Sequence, residues 1–448
     1  MIQFKFIILL FQQYIFIGDK NMLRKNNITK ILLSFFALLF IFNSYPIYGD
    51  DLNEEEDIDI FFEIDNTLTE ETSSTASSET LDLNSRSCVV IDRLSKNILY
   101  GKNETNQVKM ASTTKIMTAI VVLENYSLDK TIEVSQKAAN TGGSRLGLKT
   151  GDKITIRDLM YGLMLRSGND AAVCLAETVA GSIKEFANLM NEKAQELGLS
   201  NTHFESPHGL DSDEHYTTAY ELALLSDYAL KNSTFLNIVR TKNYTITING
   251  YPKVISNTNE LLGNLEGVYG IKTGFTNGAN RCLVTACKRG DMDIICVVLG
   301  ADTKNFRTKD SIKLIEYTFK TYQYFNIKNF INNYITDWQN NHPDFFFVEK
   351  GCSNKVEIKP KSYLEETPLI PIKKDLIPTI EANITLPSYL QAPVNQDDWL
   401  GKIKISSNGI DITEFDLLSN TTIRKKTITD YMLSFFRSYP NQLEQTII

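Results

Sequence analysis

Apolar positions change their spacing along the chain, and each change marks an element. Ser87-Cys-Val-Val-Ile-Asp is a short apolar run with β-branched residues, and Asn97-Ile-Leu-Tyr-Gly-Lys follows a turn, so the two predict a β-hairpin. From Ile116 to Leu123 the chain is apolar except at Thr118, the mark of a helix buried on most sides. Leu128 to Val134 reads as extended. Ile156, Leu159, Met160, Leu163 and Met164 recur at helical spacing within Thr155–Leu165. Further helices are expected over Ala171–Val179, Lys184–Leu197 and Thr217–Leu230, the first two closed by Gly181 and Gly198. Strand character returns at Val268–Thr276, then at Cys282–Lys288 and Asp293–Gly300 around a turn at Arg289-Gly290-Asp291, and Ser311–Phe319 closes the region as a helix. Strands at both ends with helices between them imply an α+β domain, an antiparallel sheet covered by helices, over residues 85–325. Strict alternation in Lys355–Pro360, Ile380–Leu386 and Gly401–Ser406, with a turn at Asn408-Gly409, predicts a small all-β domain over residues 348–420. Residues 326–347, rich in Asn and aromatics, are expected to link the two.

Both ends carry a different pattern. Phe6–Ile17 is apolar, and so is Ile31–Phe42, which follows Arg24, Lys25 and Lys30. A basic stretch, an apolar run of this length and a polar end near Ser44–Gly49 have the layout of an export signal, and the run is short for a membrane span. That layout starts so cleanly at Met22 that translation is expected to begin there. An uncleaved anchor is the other reading. Residues 50–84 form an acidic, Ser/Thr-rich stretch, with no Lys or Arg between Asp50 and Asp82. It reads as a disordered tether. Near the C-terminus, Arg424, Lys425 and Lys426 precede Ile428, Met432, Phe435, Phe436 and Tyr439 at helical spacing. An amphipathic helix at a membrane surface and a helix packed on the β domain both fit this pattern over 421–448.

Composition narrows the picture modestly. The 448 residues are 42 % hydrophobic and 22 % charged, ordinary for folded domains. A net charge of −8 argues against a nucleic-acid partner. The six cysteines show no metal-ligand spacing, so no metal or cofactor is expected, and most read as small buried hydrophobes. The glycine-rich stretch Thr141–Asp152 lacks the order of a phosphate loop.

The chemistry concentrates in three short stretches. In Ala111-Ser-Thr-Thr-Lys-Ile-Met-Thr, Ser112 and Lys115 are three residues apart and would share a helix face. A serine hydroxyl needs an adjacent base to attack. A lysine amine supplies one if burial and the positive end of a helix favour its neutral form. Alone, such a pair is commonly an N-cap with a solvated lysine. Ser167-Gly-Asn169 lies between two apolar helices, where a plain interhelix turn would serve as well. Lys272-Thr273-Gly274 opens a strand. His208 and Asp211 invite a Ser-His-Asp reading, but hydrogen bonds that hold their loop are the simpler role.

Ser-x-x-Lys, Ser-x-Asn and Lys-Thr-Gly in this order form a three-part signature of penicillin-binding proteins and serine β-lactamases. With its flanking residues, from Ser85 to Leu418, the chain resembles the serine-type D-alanyl-D-alanine carboxypeptidases, the low-molecular-mass penicillin-binding proteins. The resemblance implies a catalytic domain of that fold followed by a β-sandwich. It implies removal of the terminal D-alanine from peptidoglycan stem pentapeptides through an acyl-enzyme, covalent binding of β-lactams, and a place outside the cytoplasm at the outer face of the membrane. It implies Ser112 as nucleophile, Lys115 as proton acceptor and Ser167 as proton relay. Asn169 would bond the substrate amide or Lys115, Lys272 would sit near Ser167, and Thr273 would contact the substrate carboxylate beside Gly274. The backbone N–H groups of Ser112 and Phe275 would hold the oxyanion. Arg307 matches an arginine that binds the terminal carboxylate in relatives, although an exposed arginine without that role fits nearly as well.

Asn280 departs from the family, where glycine is common, and could alter the strand edge that meets substrate. Three alternatives share the motifs: a D,D-endopeptidase, a serine β-lactamase, and a catalytically silent wall-binding protein. Glu205 stands at the distance of a β-lactamase deacylating glutamate but lacks the Glu-x-x-Leu-Asn pattern.

Overall fold

The computed structural model describes residues 81–361 and 369–434. The export signal, the Met22 start and nearly all of the acidic tether therefore lie outside the described residues. The tether's end does not: Leu83 is buried in the core, and Ser85 N–H donates to Asp310 Oδ2 at 2.7 Å. The folded region thus begins slightly before residue 85.

A five-stranded sheet organises the catalytic region. Its strands are β1 (Ser87–Asp92) and β2 (Ile98–Lys102), then, after β3 (Thr131–Glu133), β4 (Lys153–Thr155) and the hairpin β5 (Asn243–Ile248)–β6 (Tyr251–Ser256), the strands β7 (Val268–Thr276), β8 (Asn280–Arg289) and β9 (Met292–Ala301). The order is β2-β1-β9-β8-β7, antiparallel throughout. All residues of β1 are buried because both faces are covered, which is why it reads as a run rather than an alternation. Val89 and Ile91 face the helical core with Ile116, Ile120, Leu159 and Leu163. Cys88 and Val90 face the opposite side, where Leu314 and Ile315 of helix Lys304–Thr321 pack. That helix starts earlier than the sequence pattern suggests, because Thr303 caps it by accepting from Phe306 N–H.

The helical layer holds Lys115–Asn125, Ile156–Leu165, Asn169–Ala180, Ile183–Glu196 and Ala219–Leu230. Thr155, Ser182 and Thr218 cap three of them, each accepting from the backbone three residues on. β7 ends the sheet and has a neighbour strand on one side only.

The β domain forms a four-stranded sheet of Ile358–Pro360, Ile410–Ser419, Trp399–Ser407 and Ile380–Thr385. Residues 326–347, expected as a linker, instead contain helix Ile327–Asn341. Its Ile327, Ile331 and Ile335 are buried with Ile403, Ile405 and Leu417 of the sheet, so burial overrides a polar-looking composition. Beyond the sheet, Ile423 is also core, paired by a bridge with Val394, and the C-terminal helix begins only at residue 428.

Of the cysteines, Cys88, Cys174, Cys282, Cys287 and Cys296 are buried free thiols and Cys352 is exposed. Burial pushes the Cys88, Cys174 and Cys287 thiols up to about 12.

Candidate active site

Ser112 lies in a 3-10 turn, Ala111–Thr114, that runs directly into helix Lys115–Asn125. In that tighter winding residues three apart eclipse one another, and Lys115 Nζ lies 2.6 Å from Ser112 Oγ. The turn is entered through Ala111 at φ +48, a left-handed conformation that L side chains seldom adopt. Thr113 Oγ1 donates to Met110 O at 2.6 Å and Thr114 Oγ1 to Ala111 O at 2.8 Å, so neighbouring hydroxyls hold it.

Lys115 is fully buried. Its Nζ also lies 2.7 Å from Asn169 Oδ1 and 3.0 Å from His208 O. Those two oxygens are acceptors only, so each orients an N–H of the amine. The remaining tetrahedral position on Nζ then points at Ser112 Oγ. A neutral amine held this way presents its lone pair to the serine proton, the arrangement nucleophile activation requires.

Asn169 opens helix Asn169–Ala180. Its Nδ2 donates to Gly142 O at 2.8 Å, so its amide is bonded at both ends and serves Lys115 rather than a substrate amide in this state. Ser167 is buried in the preceding turn at φ +61, a second left-handed residue beside the site. The adjacent Asp170 went unremarked in the sequence. It is fully buried, and its carboxylate accepts from Leu146 N–H at 2.9 Å, Gly147 N–H at 2.9 Å and Leu148 N–H at 3.1 Å. This fastens the glycine-rich stretch over the site and keeps Gly142 O on Asn169.

β7 supplies the opposite wall. A Cβ built on Gly274 would lie 3.1 Å from Ser112 N and 3.2 Å from Ala111 Cβ, so only glycine lets the strand approach the nucleophile turn this closely. Lys272 shares that face by alternation and is buried, with Nζ donating to Thr273 O at 2.9 Å. Thr273 Oγ1 lies 2.7 Å from Thr258 Oγ1, and Thr258 N–H donates to Leu165 O at 3.0 Å. Thr258, also missed in the sequence, thus ties the Lys-Thr-Gly strand to the helix that leads into Ser167. Phe275 follows Gly274, with the Arg281 guanidinium 3.8 Å above its ring. Asn280 adopts φ +58 and opens β8 opposite Thr276. Asparagine tolerates that conformation, so the departure leaves the edge of β7 in register.

Arg307 is not the exposed arginine of the alternative reading. It lies in the first turns of helix Lys304–Thr321, buried, with Nη2 2.8 Å from Glu260 Oε1.

His208 and Asp211 do not join Ser112 in a triad. His208 offers its backbone oxygen to Lys115, while its Nδ1 accepts from Leu210 N–H at 3.3 Å. Asp211 accepts from Thr276 Oγ1 and Gly278 N–H, each at 2.7 Å. Burial pushes His208 down to about 3 and His215 down to about 4. Neutral His215 fits its partners: Nδ1 accepts from Glu205 N–H at 3.0 Å, leaving Nε2–H to donate to Thr114 Oγ1 at 2.7 Å. The Glu205 carboxylate accepts from Ser212 within the same loop, which ties it to loop structure.

A buried lysine between serine and asparagine, closed by a glycine strand on an antiparallel sheet, defines a serine acyl-transferase site of the penicillin-recognising kind. The D-alanyl-D-alanine carboxypeptidase family matches residues 72–303, and the C-terminal domain of penicillin-binding protein 5 matches residues 348–425. The chain belongs to this D-alanyl-D-alanine carboxypeptidase family. It is 31 % identical over 353 residues to D-alanyl-D-alanine carboxypeptidase DacF of Bacillus subtilis (strain 168), covering 76 % of this chain and 86 % of that one. It is 33 % identical over 359 residues to DacC of Escherichia coli (strain K12), covering 76 % and 84 %. The crystal structure of penicillin binding protein 5 from Haemophilus influenzae superposes with a TM-score of 0.61 at 25 % identity, over 78 % of this chain and 100 % of that one.

Proposed function

We propose that this chain removes the terminal D-alanine from peptidoglycan stem peptides ending in D-Ala-D-Ala, and that β-lactams acylate the same serine. The observation that carries this reading is the placement of Lys115 Nζ between Ser112 Oγ, Asn169 Oδ1 and His208 O, with Gly274 packed on Ser112 N. Lys115 takes the proton as Ser112 Oγ bonds to the carbonyl carbon between the two D-alanines. The backbone N–H groups of Ser112 and Phe275 stabilise the oxyanion. The C–N bond then breaks, with Ser167 relaying that proton from Lys115 to the departing amine, which leaves Lys115 neutral again. Lys272 keeps the site positive, while Thr273 and Arg307 receive the terminal carboxylate. Water attacks the acyl ester, and its proton returns through Lys115 to Ser112.

The substrate lies outside the cytoplasm, and so does the working enzyme, exported by the signal within residues 22–49. The last helix adds a membrane-surface contact. Ile428 is 81 % exposed and Met432 56 %, so these side chains are not packed on the β domain among the described residues. The test is incubation of the purified chain with a synthetic pentapeptide and, separately, with a cross-linked peptide dimer, with products separated chromatographically. Release of one D-alanine supports the reading. Cleavage only of cross-linked dimers would transfer it to an endopeptidase, and no cleavage would reject it.

A further inference from the structure

The segment Asn257–Leu262 links the Lys-Thr-Gly strand to Arg307. Thr258 holds Thr273, and Asn259 Nδ2 donates to Gly270 O at 3.0 Å. The next residue, Glu260, turns its carboxylate to helix Lys304–Thr321. Its Oε1 accepts from Arg307 Nη2 at 2.8 Å and from Thr308 Oγ1, and its Oε2 lies 3.5 Å from Lys304 Nζ. The Arg307 side chain is 5 % exposed, and its buried Nε–H has no hydrogen-bond acceptor among the described residues. The cation read above as the receptor for a substrate carboxylate is therefore engaged by a carboxylate of the chain itself and withdrawn from solvent, with one of its donors unused.

We propose that Glu260 is a specificity-determining residue that competes with the terminal carboxylate of the substrate for Arg307; this rests on the role of Arg307 given under Proposed function. Two carboxylates compete for one guanidinium, so the internal one lowers the affinity for the incoming one. The chemistry of the acyl transfer, centred on Ser112, is untouched. Glu260 thereby sets how strongly the enzyme distinguishes a free C-terminal carboxylate from an amide at the same place. A residue that merely braced Arg307 would have the opposite effect, since its loss would misplace the guanidinium and weaken carboxylate binding.

The test uses a pair of reactive thioester substrates with the same D-alanyl acyl group, one leaving as thioglycolate and the other as its uncharged amide. Both acylate readily, so KM and kcat are measurable for each. In Glu260→Gln, KM for the thioglycolate form is expected to fall about tenfold, the effect of relieving one charge-assisted contact. kcat should be unchanged, and the amide form should stay within about twofold. Glu260→Asp, which keeps the charge, should behave like the wild type. A KM for the thioglycolate form that rises, or changes equally for both substrates, overturns the proposal. Should Glu260→Gln fail to fold, Glu260→Ala carries the same expectation. Arg307→Gln separates the two layers. Loss of carboxylate preference supports Arg307 as the receptor, whereas an unchanged preference refutes that role and takes the Glu260 proposal with it.

Discussion

Replacing Asp170 should both destabilise the chain and slow its acylation, although the residue touches neither Ser112 nor Lys115. Its two carboxylate oxygens divide four backbone donors. Oδ1 accepts from Leu146 and Ala171 N–H, and Oδ2 from Gly147 and Leu148 N–H. In Asp170→Ala the N–H groups of buried Leu146, Leu148 and Ala171 lose their acceptor, while exposed Gly147 can bond to water. A stranded buried donor costs about 1–3 kcal/mol. Loss of a negative charge in the first turn of helix Asn169–Ala180 adds about 0.5 kcal/mol. The sum, about 6 kcal/mol, is a large fraction of a typical domain's stability. Asp170→Asn is not conservative here. Its one oxygen can serve only one pair of donors, and its NH2 faces the other, so about 2–3 kcal/mol is expected. Urea denaturation would give the stability change as a shift in midpoint at constant slope. Acylation by a fluorescent penicillin, measured well below the transition, should also slow, because the released stretch no longer keeps Gly142 O on Asn169. Stability within about 1 kcal/mol of wild type for Asp170→Ala would refute this account of the loop.

The other expectations concern the nucleophile turn. Gly274→Ala pushes β7 away from Ser112 N by a few tenths of an ångström, so acylation should drop about 10²-fold while the unfolding temperature stays near that of wild type; a rapid acylation rate would mean the strand need not approach so closely. His215, held down to about 4 against an unfolded value near 6.5, is neutral when folded and protonated when unfolded between those pH values. The unfolded state binds more protons in that window, so the His215 contribution to stability should be complete above about pH 6.5 and fall on acidification by about 1.4 kcal/mol per pH unit, down to about pH 4, and His208, held down to about 3, adds a loss of the same sign. His215→Gln, which keeps a donor for Thr114 but does not titrate, should cut the difference in unfolding temperature between pH 7 and pH 5 by about half, leaving the share of His208; an unaltered difference would assign all of it to other groups.

Much of this site was legible because its chemistry depends on local spacing. Ser112 and Lys115 are neighbours by helical geometry alone, and the apolar spacing around the other two motifs places them on an interhelix turn and a strand. What the sequence hid was long-range or conformational. Asp170 stands beside Asn169, but three of its four partners are 22 to 24 residues away. Its signal was a carboxylate heading an apolar helix, which usually reads as a favourable first-turn charge. Thr258 sits in a polar Asn-Thr-Asn run that resembles a plain turn until its bond to Thr273 is seen. Helix Ile327–Asn341 was obscured by polar composition, although Ile327, Ile331 and Ile335 stand at exact four-residue intervals. The left-handed Ala111 gives no sequence signal, since nothing local favours alanine there.

The central claim is that Ser112, activated by Lys115, is the nucleophile. The most direct measurement is reaction with a fluorescent penicillin followed by mass mapping of the labelled peptide, in the wild type and in Ser112→Ala. The account predicts one lasting adduct on Ser112 and none in the variant. Label on another residue, or label that survives in Ser112→Ala, would contradict it.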